Sequence, residues 1–113
     1  MAKLDLRPEW LETVRQLIAR HLPDTEVFAY GSRVNGTCHD GSDLDLIARN
    51  PNDPTKPLTN MAALREAFTE SNLPILVDVL DWARIPASFR QQIQQSETVQ
   101  VFPANSNLSV RHE

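Results

Sequence analysis

Two aspartates one residue apart, Asp43 and Asp45, follow a Gly31-Ser32 pair after ten intervening residues. Aspartate oxygens are hard ligands suited to Mg²⁺, which keeps water and takes only one or two protein carboxylates. A Gly-Ser turn lets backbone N–H groups approach an anion, and the serine hydroxyl adds a donor. A phosphate cradle facing a metal clamp is the equipment of nucleotide chemistry. Magnesium held there would neutralise triphosphate charge, and a second ion would lower the pKa of an attacking hydroxyl. All three glycines of the chain, Gly31, Gly36 and Gly41, fall in this one stretch, which therefore needs backbone freedom. Arg33 reads either as a counter-charge for the same phosphates or as a solvated loop residue. With ordinary residue usage, the Gly-Ser and Asp-x-Asp spacing arises by chance in roughly one chain per thousand of this length.

A third carboxylate stands in the middle of the apolar run Ile75-Leu76-Val77-Asp78-Val79-Leu80-Asp81. An acid buried there is costly unless paired or metal-bound, so Asp78 is the candidate third ligand and the candidate general base. Asp81 lies on the opposite face of the same strand, nearer its end, and reads as a cap for a turn or for the next helix.

These residues need a strand before each half of the motif, and the pattern supplies them. Pro8 suits a first helical turn and Glu9 its positive end. Leu11, Val14, Leu17, Ile18 and Leu22 then recur at helical spacing, which predicts a helix over 8–22. Residues 27–30 read as a short buried strand stopped by Gly31, and 33–42 as a polar loop with room for one helical turn. Residues 43–48 read as a second strand, with Asp43 and Asp45 facing one way and Leu44 and Leu46 the other. Three prolines mark 50–57 as a surface loop. Leu58, Met61, Leu64, Ala67 and Phe68 predict a second helix closed by Ser71-Asn72, and 75–81 a third strand. Ile85, Phe89 and Ile93 suggest a helix from Pro86, whose three glutamines form an exposed or interface face, and 99–102 a last strand. Residues 103–113 read as a polar, frayed tail. Strands separated by helices give an α/β or α+β fold, a mixed sheet with helices flanking one face.

With 113 residues the chain is read as one domain. A formal charge of −4 argues against a nucleic-acid binder. A single cysteine, Cys38, suits a reducing cytoplasm, and the opening residues lack a signal-peptide core. Cys38 and His39 adjoin, but no further ligand completes a zinc set. His21 suits a helix C-terminus. Trp10 and Trp82 read as core or partner-facing aromatics.

Taken together, Tyr30-Gly31-Ser32-Arg33-Val34-Asn35-Gly36 and Ser42-Asp43-Leu44-Asp45-Leu46 resemble the signature of the DNA polymerase β-like nucleotidyltransferases. Within that superfamily the short chain is similar to the minimal nucleotidyltransferases, antitoxins encoded beside HEPN-domain proteins. The likeness continues through Leu64–Phe68, Leu73-Pro74, Val77–Trp82 and Phe89-Arg90, so that 1–102 reads as the domain. The resemblance implies a nucleotidyltransferase fold, Mg²⁺ as two ions, and ATP as substrate. It matches Asp43 and Asp45 to the paired metal ligands, Asp78 to the third, and Gly31 and Ser32 to the phosphate turn. It also implies transfer of AMP to a tyrosine hydroxyl of a HEPN ribonuclease toxin. The alternatives are a non-catalytic antitoxin acting by occlusion, and nucleotidyl transfer to a small molecule or RNA.

Overall fold

The computed structural model describes residues 3–37 and 41–104. The chain runs α1 (Pro8–His21), β1 (Glu26–Tyr30), α2 (Ser32–Asn35), β2 (Leu44–Arg49), α3 (Met61–Glu70), β3 (Val77–Asp81), α4 (Ala87–Gln94) and β4 (Val99–Phe102). The four strands form one sheet in the order β3-β2-β1-β4. β1 pairs antiparallel with both β2 and β4, and β2 pairs parallel with β3. This is the mixed sheet with flanking helices that the pattern predicts.

Alternation along the strands sends two apolar sets to opposite faces. Val27, Ala29, Leu44, Leu46, Ala48, Val79 and Val101 bury one face against Val14 and Ile18 of α1 and Met61, Leu64 and Phe68 of α3. Each fully buried aliphatic side chain contributes about 1.5–3 kcal/mol. α1 begins on Pro8, keeps Glu9 in its first turn and Arg20 and His21 in its last, all matched to the helix dipole.

The expectation of helices on one face is corrected here. Ile47, Phe28, Tyr30 and Leu80 point the other way and pack with Ile85, Phe89 and Ile93, so α4 covers part of the second face. Helix α4 starts after Pro86, whose carbonyl accepts the Phe89 and Arg90 N–H groups. Among the described residues, no helix is long and apolar enough to cross a membrane.

Two boundaries differ from the pattern. β3 begins at Val77, leaving Leu76 as an exposed residue whose carbonyl accepts the Leu44 N–H at 2.9 Å. α3 begins at Met61, and Leu58 is buried ahead of it. Asp81 explains the second: its Oδ2 accepts the Leu58 N–H at 2.9 Å and the Arg84 Nε–H at 3.0 Å, while Oδ1 accepts the Ala83 N–H at 3.0 Å. With 2% exposure, Asp81 is a structural acceptor that ties the loop before α3 to the end of β3, the capping role expected of it.

Asp81→Ala leaves one buried and one part-buried N–H group without an acceptor and should lower stability by about 2–4 kcal/mol, read from the urea midpoint at unchanged slope.

Candidate active site

The register of the sheet assembles the site. Tyr30 of β1 is opposite Asp45 of β2, and Asp45 is in turn the register partner of Asp78 of β3. Register partners share a face, so the three side chains form a row across three strands spaced about 4.8 Å apart. The row lies on the α4 face, beyond the end that Ile47 and Phe28 fill. Asp43 sits one residue ahead of the β2 ladder, two before Asp45, and by alternation on the same side. Leu44 and Leu46 are wholly buried on the opposite face, as the alternation requires.

Electrostatics confirm that the groups share one field. Burial, followed by the Asp78 and then the Asp43 carboxylates, pushes the Asp45 carboxyl above its ordinary range. Burial, then Asp45 and Asp78, pushes the Tyr30 hydroxyl up to about 12, so it stays protonated. The Tyr30 ring meets Phe89 of α4 edge-on, with centroids 6.1 Å apart.

The Gly-Ser turn abuts this row. Gly31 adopts φ +85° at the start of α2, a conformation that a side chain makes costly. A β-carbon there would also meet Asp45 Oδ2 at 2.8 Å. Its carbonyl accepts the Val34 and Asn35 N–H groups at 2.9 and 3.0 Å, which starts the helical turn. Ser32 is half-buried, and its hydroxyl has no hydrogen-bond partner among the described residues. Beside the turn, a cavity of about 200 Å³ is lined by Tyr30, Gly31, Asn35, Phe89, Gln92 and Glu97.

Two of the expected roles take a different form. Asp78 is exposed, so the argument from a buried carboxylate does not apply; β3 is the edge strand, and Asp78 opens to solvent beside Asp45. Arg33 is 4% exposed, and its N–H groups grip backbone: NH1 donates to the Asp5 carbonyl, and Nε and NH2 both donate to that of Ser42. This is a buried side chain clamped on backbone and not a solvated loop residue. Cys38 and His39 lie outside the described residues.

The donor set suits a hard divalent cation, with a qualification on its number of ligands. Among the described residues, no three acidic, histidine or cysteine side chains stand as a ready metal-binding group. Mg²⁺ needs only one or two protein carboxylates, the remainder coming from water and phosphate. Asp43 and Asp45 are the two that could supply them. Their mutual repulsion, with Asp78, is what a cation would relieve. Gly31 keeps the space beside Asp45 Oδ2 clear of a side chain.

Sequence reasoning gave Tyr30 and Phe89 no role in the site, although both stand in the segments that carry the family likeness. The link of Tyr30 to Asp45 exists only through the antiparallel register. Phe89 otherwise showed as an apolar position of a helix.

Comparison with known proteins adds four findings. Residues 1–102 match the family described as the central palm domain of mitochondrial-like poly(A) RNA polymerase. The chain is 42% identical over 96 residues to the "Probable protein adenylyltransferase MntA" of Haemophilus influenzae (strain ATCC 51907 / DSM 11121 / KW20 / Rd), covering 83% of this chain and 81% of that protein. It is 24% identical over 84 residues to "Poly(A) RNA polymerase protein 2" of Saccharomyces cerevisiae (strain ATCC 204508 / S288c), covering 74% of this chain but 14% of that one. Among solved structures, a chain of the "Crystal structure of the toxin-antitoxin with AMP-PNP" superposes with a TM-score of 0.64 at 21% identity, covering 88% of this chain and 78% of that one. At that identity the likeness shows the fold.

The raised Asp45 value gives a signed prediction. The folded state holds this proton more tightly than the unfolded chain, so stability present at acid pH is lost as the pH rises through the folded value. Asp45→Asn should therefore raise the melting temperature of the metal-free protein at neutral pH by roughly 2–5 °C. The gain should vanish below the ordinary carboxylate range; a variant no more stable than wild type at neutral pH contradicts the repulsion account. Gly31→Ala should cost about 1–3 kcal/mol in urea unfolding, from backbone strain and from contact with Asp45.

Proposed function

The chain belongs to the family of the mitochondrial-like poly(A) RNA polymerase central palm domain, together with the MntA-type nucleotidyltransferases, and on that footing we propose that it transfers AMP from ATP to a tyrosine hydroxyl of a HEPN ribonuclease toxin. The observation that carries the reading is the contact of the Gly31-Ser32 turn with Asp45, within a row that ends in Asp78. A phosphate turn and a carboxylate pair set edge to edge are what a nucleoside triphosphate and its divalent ion need. Two comparisons support the finer assignment: the relative is named a protein adenylyltransferase, and the structural neighbour is a toxin-antitoxin with an ATP analogue.

Asp43 and Asp45 would hold Mg²⁺, with Asp78 as the third carboxylate of the site. Bound there, magnesium, as two ions, supplies neutralisation of the triphosphate and of the departing pyrophosphate. The Gly31 and Ser32 N–H groups and the Ser32 hydroxyl hold the β- and γ-phosphates. In-line displacement places attacking and leaving oxygens on opposite sides of the α-phosphorus. With pyrophosphate over the turn, the acceptor arrives from the β3 edge, where Asp78 is exposed. Asp78 takes the proton of the acceptor hydroxyl as its oxygen bonds to the α-phosphorus. The bond from the α-phosphorus to the bridging oxygen breaks, and pyrophosphate leaves with the electron pair. Tyr30, held protonated, offers a donor at the same row. We place the reaction in the cytoplasm, where ATP is at hand and Cys38 stays reduced.

Incubation of the purified chain and its toxin partner with ATP and Mg²⁺ should raise the partner's intact mass by whole AMP units. Asp43→Asn and Asp45→Asn should each fold yet transfer about a thousand-fold more slowly or worse. Toxin inhibition without any mass change would replace this reading with occlusion, and full transfer by both variants would reject the carboxylate assignment.

A further inference from the structure

We propose that Arg33 is a positioning residue, fixing the peptide unit from which Asp43 hangs; this rests on the reading above only in taking Asp43 as a metal ligand. Asp43 precedes the first residue of the β2 ladder, so strand pairing does not hold it directly. Its two flanking peptide units are held from different sides. On the far side, the Leu44 N–H, which belongs to the Asp43-Leu44 peptide, donates to the Leu76 carbonyl at 2.9 Å. On the near side, the Ser42 carbonyl, which belongs to the Ser42-Asp43 peptide, accepts both Nε and NH2 of Arg33 at 3.1 and 3.0 Å. A planar fork on one carbonyl oxygen sets the plane of that peptide, and with it the direction in which the Asp43 side chain leaves.

The fork is itself braced. Arg33 NH1 donates to the Asp5 carbonyl at 2.9 Å, and the Asp5 N–H donates back to the Arg33 carbonyl at 2.7 Å. The Trp10 ring lies 5.9 Å from the guanidinium carbon, with Arg7 5.3 Å from the same ring. The segment ahead of α1 and the first turn of α1 therefore hold Arg33 from behind, while Arg33 holds the loop that enters β2. A lysine keeps the charge but cannot make the planar two-bond grip.

The test is Arg33→Lys in the full chain, read by amide NMR without metal and by Mn²⁺ titration. The order parameter of the Asp43 amide should fall, and exchange of the Leu44 N–H should quicken about ten-fold or more. The Ala29 and Ile47 N–H groups, on the inner strands β1 and β2, should stay within about two-fold. Mn²⁺ affinity should drop about ten-fold or more, as for loss of a group that orients a ligand. A Val14→Ala core variant, far from the loop, should lower stability without moving Mn²⁺ affinity. A folded Arg33→Lys protein with unchanged Leu44 exchange, or with all sheet amides quickened alike, overturns the proposal. Should Arg33→Lys not fold, Trp10→Phe serves: a smaller quickening centred on Leu44 supports the brace, and none there overturns it. A wild-type chain that binds Mn²⁺ but adenylylates no partner fails the functional reading alone and leaves the exchange pattern to judge Arg33.

Discussion

Asp45 is a half-buried carboxylate held against two like charges and a glycine, and the rest of the molecule is arranged around that constraint. Two carboxylates about 4 Å apart repel by about 1 kcal/mol in water-like surroundings, and burial adds to the cost. Asp45 tolerates this because β2 is an inner strand, laddered to β1 on one side and β3 on the other. Its neighbours Leu44 and Leu46 are wholly buried on the opposite face, each contributing about 1.5–3 kcal/mol. The packing of β2 therefore outweighs the local repulsion.

Where the helices stop is as important as where they pack. α1 and α3 close one face of the sheet, while α4 covers only part of the other, over Ile47, Phe28 and Leu80. Beyond that cover lies the acid row, bordered by Tyr30 and Phe89 and opening on the edge strand. The two aspartates of β3 illustrate the consequence. Asp78 faces the uncovered side and is exposed; Asp81, three residues on, faces the packed side and is consumed by Leu58, Ala83 and Arg84. Identical side chains on one strand thus meet solvent and architecture respectively, separated by the two-residue alternation.

The likeness of a small chain to the palm of RNA polymerases is intelligible on these terms. The scaffold supplies a turn, a carboxylate row and an open edge, and none of these specifies the acceptor. On the proposed reading, acceptor identity belongs to the partner and not to this scaffold.

Much of this was legible in the residues. The spacing of Gly31-Ser32 from Asp43 and Asp45 locates the site, and strand alternation separates Asp43 and Asp45 from Leu44 and Leu46. Helical periodicity places both ends of α1 and the start of α4 within a residue of those observed, because those signals are local. The second apolar face was visible too: residues 27–30 and 46–48 are apolar at both parities, the mark of strands covered on both sides. Only the tertiary structure decided the rest, since it depends on partners distant along the chain. The register that sets Tyr30 and Asp78 beside Asp45 is one such outcome. The exposure of Asp78 on an edge strand is another. The turning of Arg33 away from solvent, onto carbonyls of Asp5 and Ser42, is a third. Sequence specifies which groups each short segment offers; pairing and packing between segments settle which of them meet.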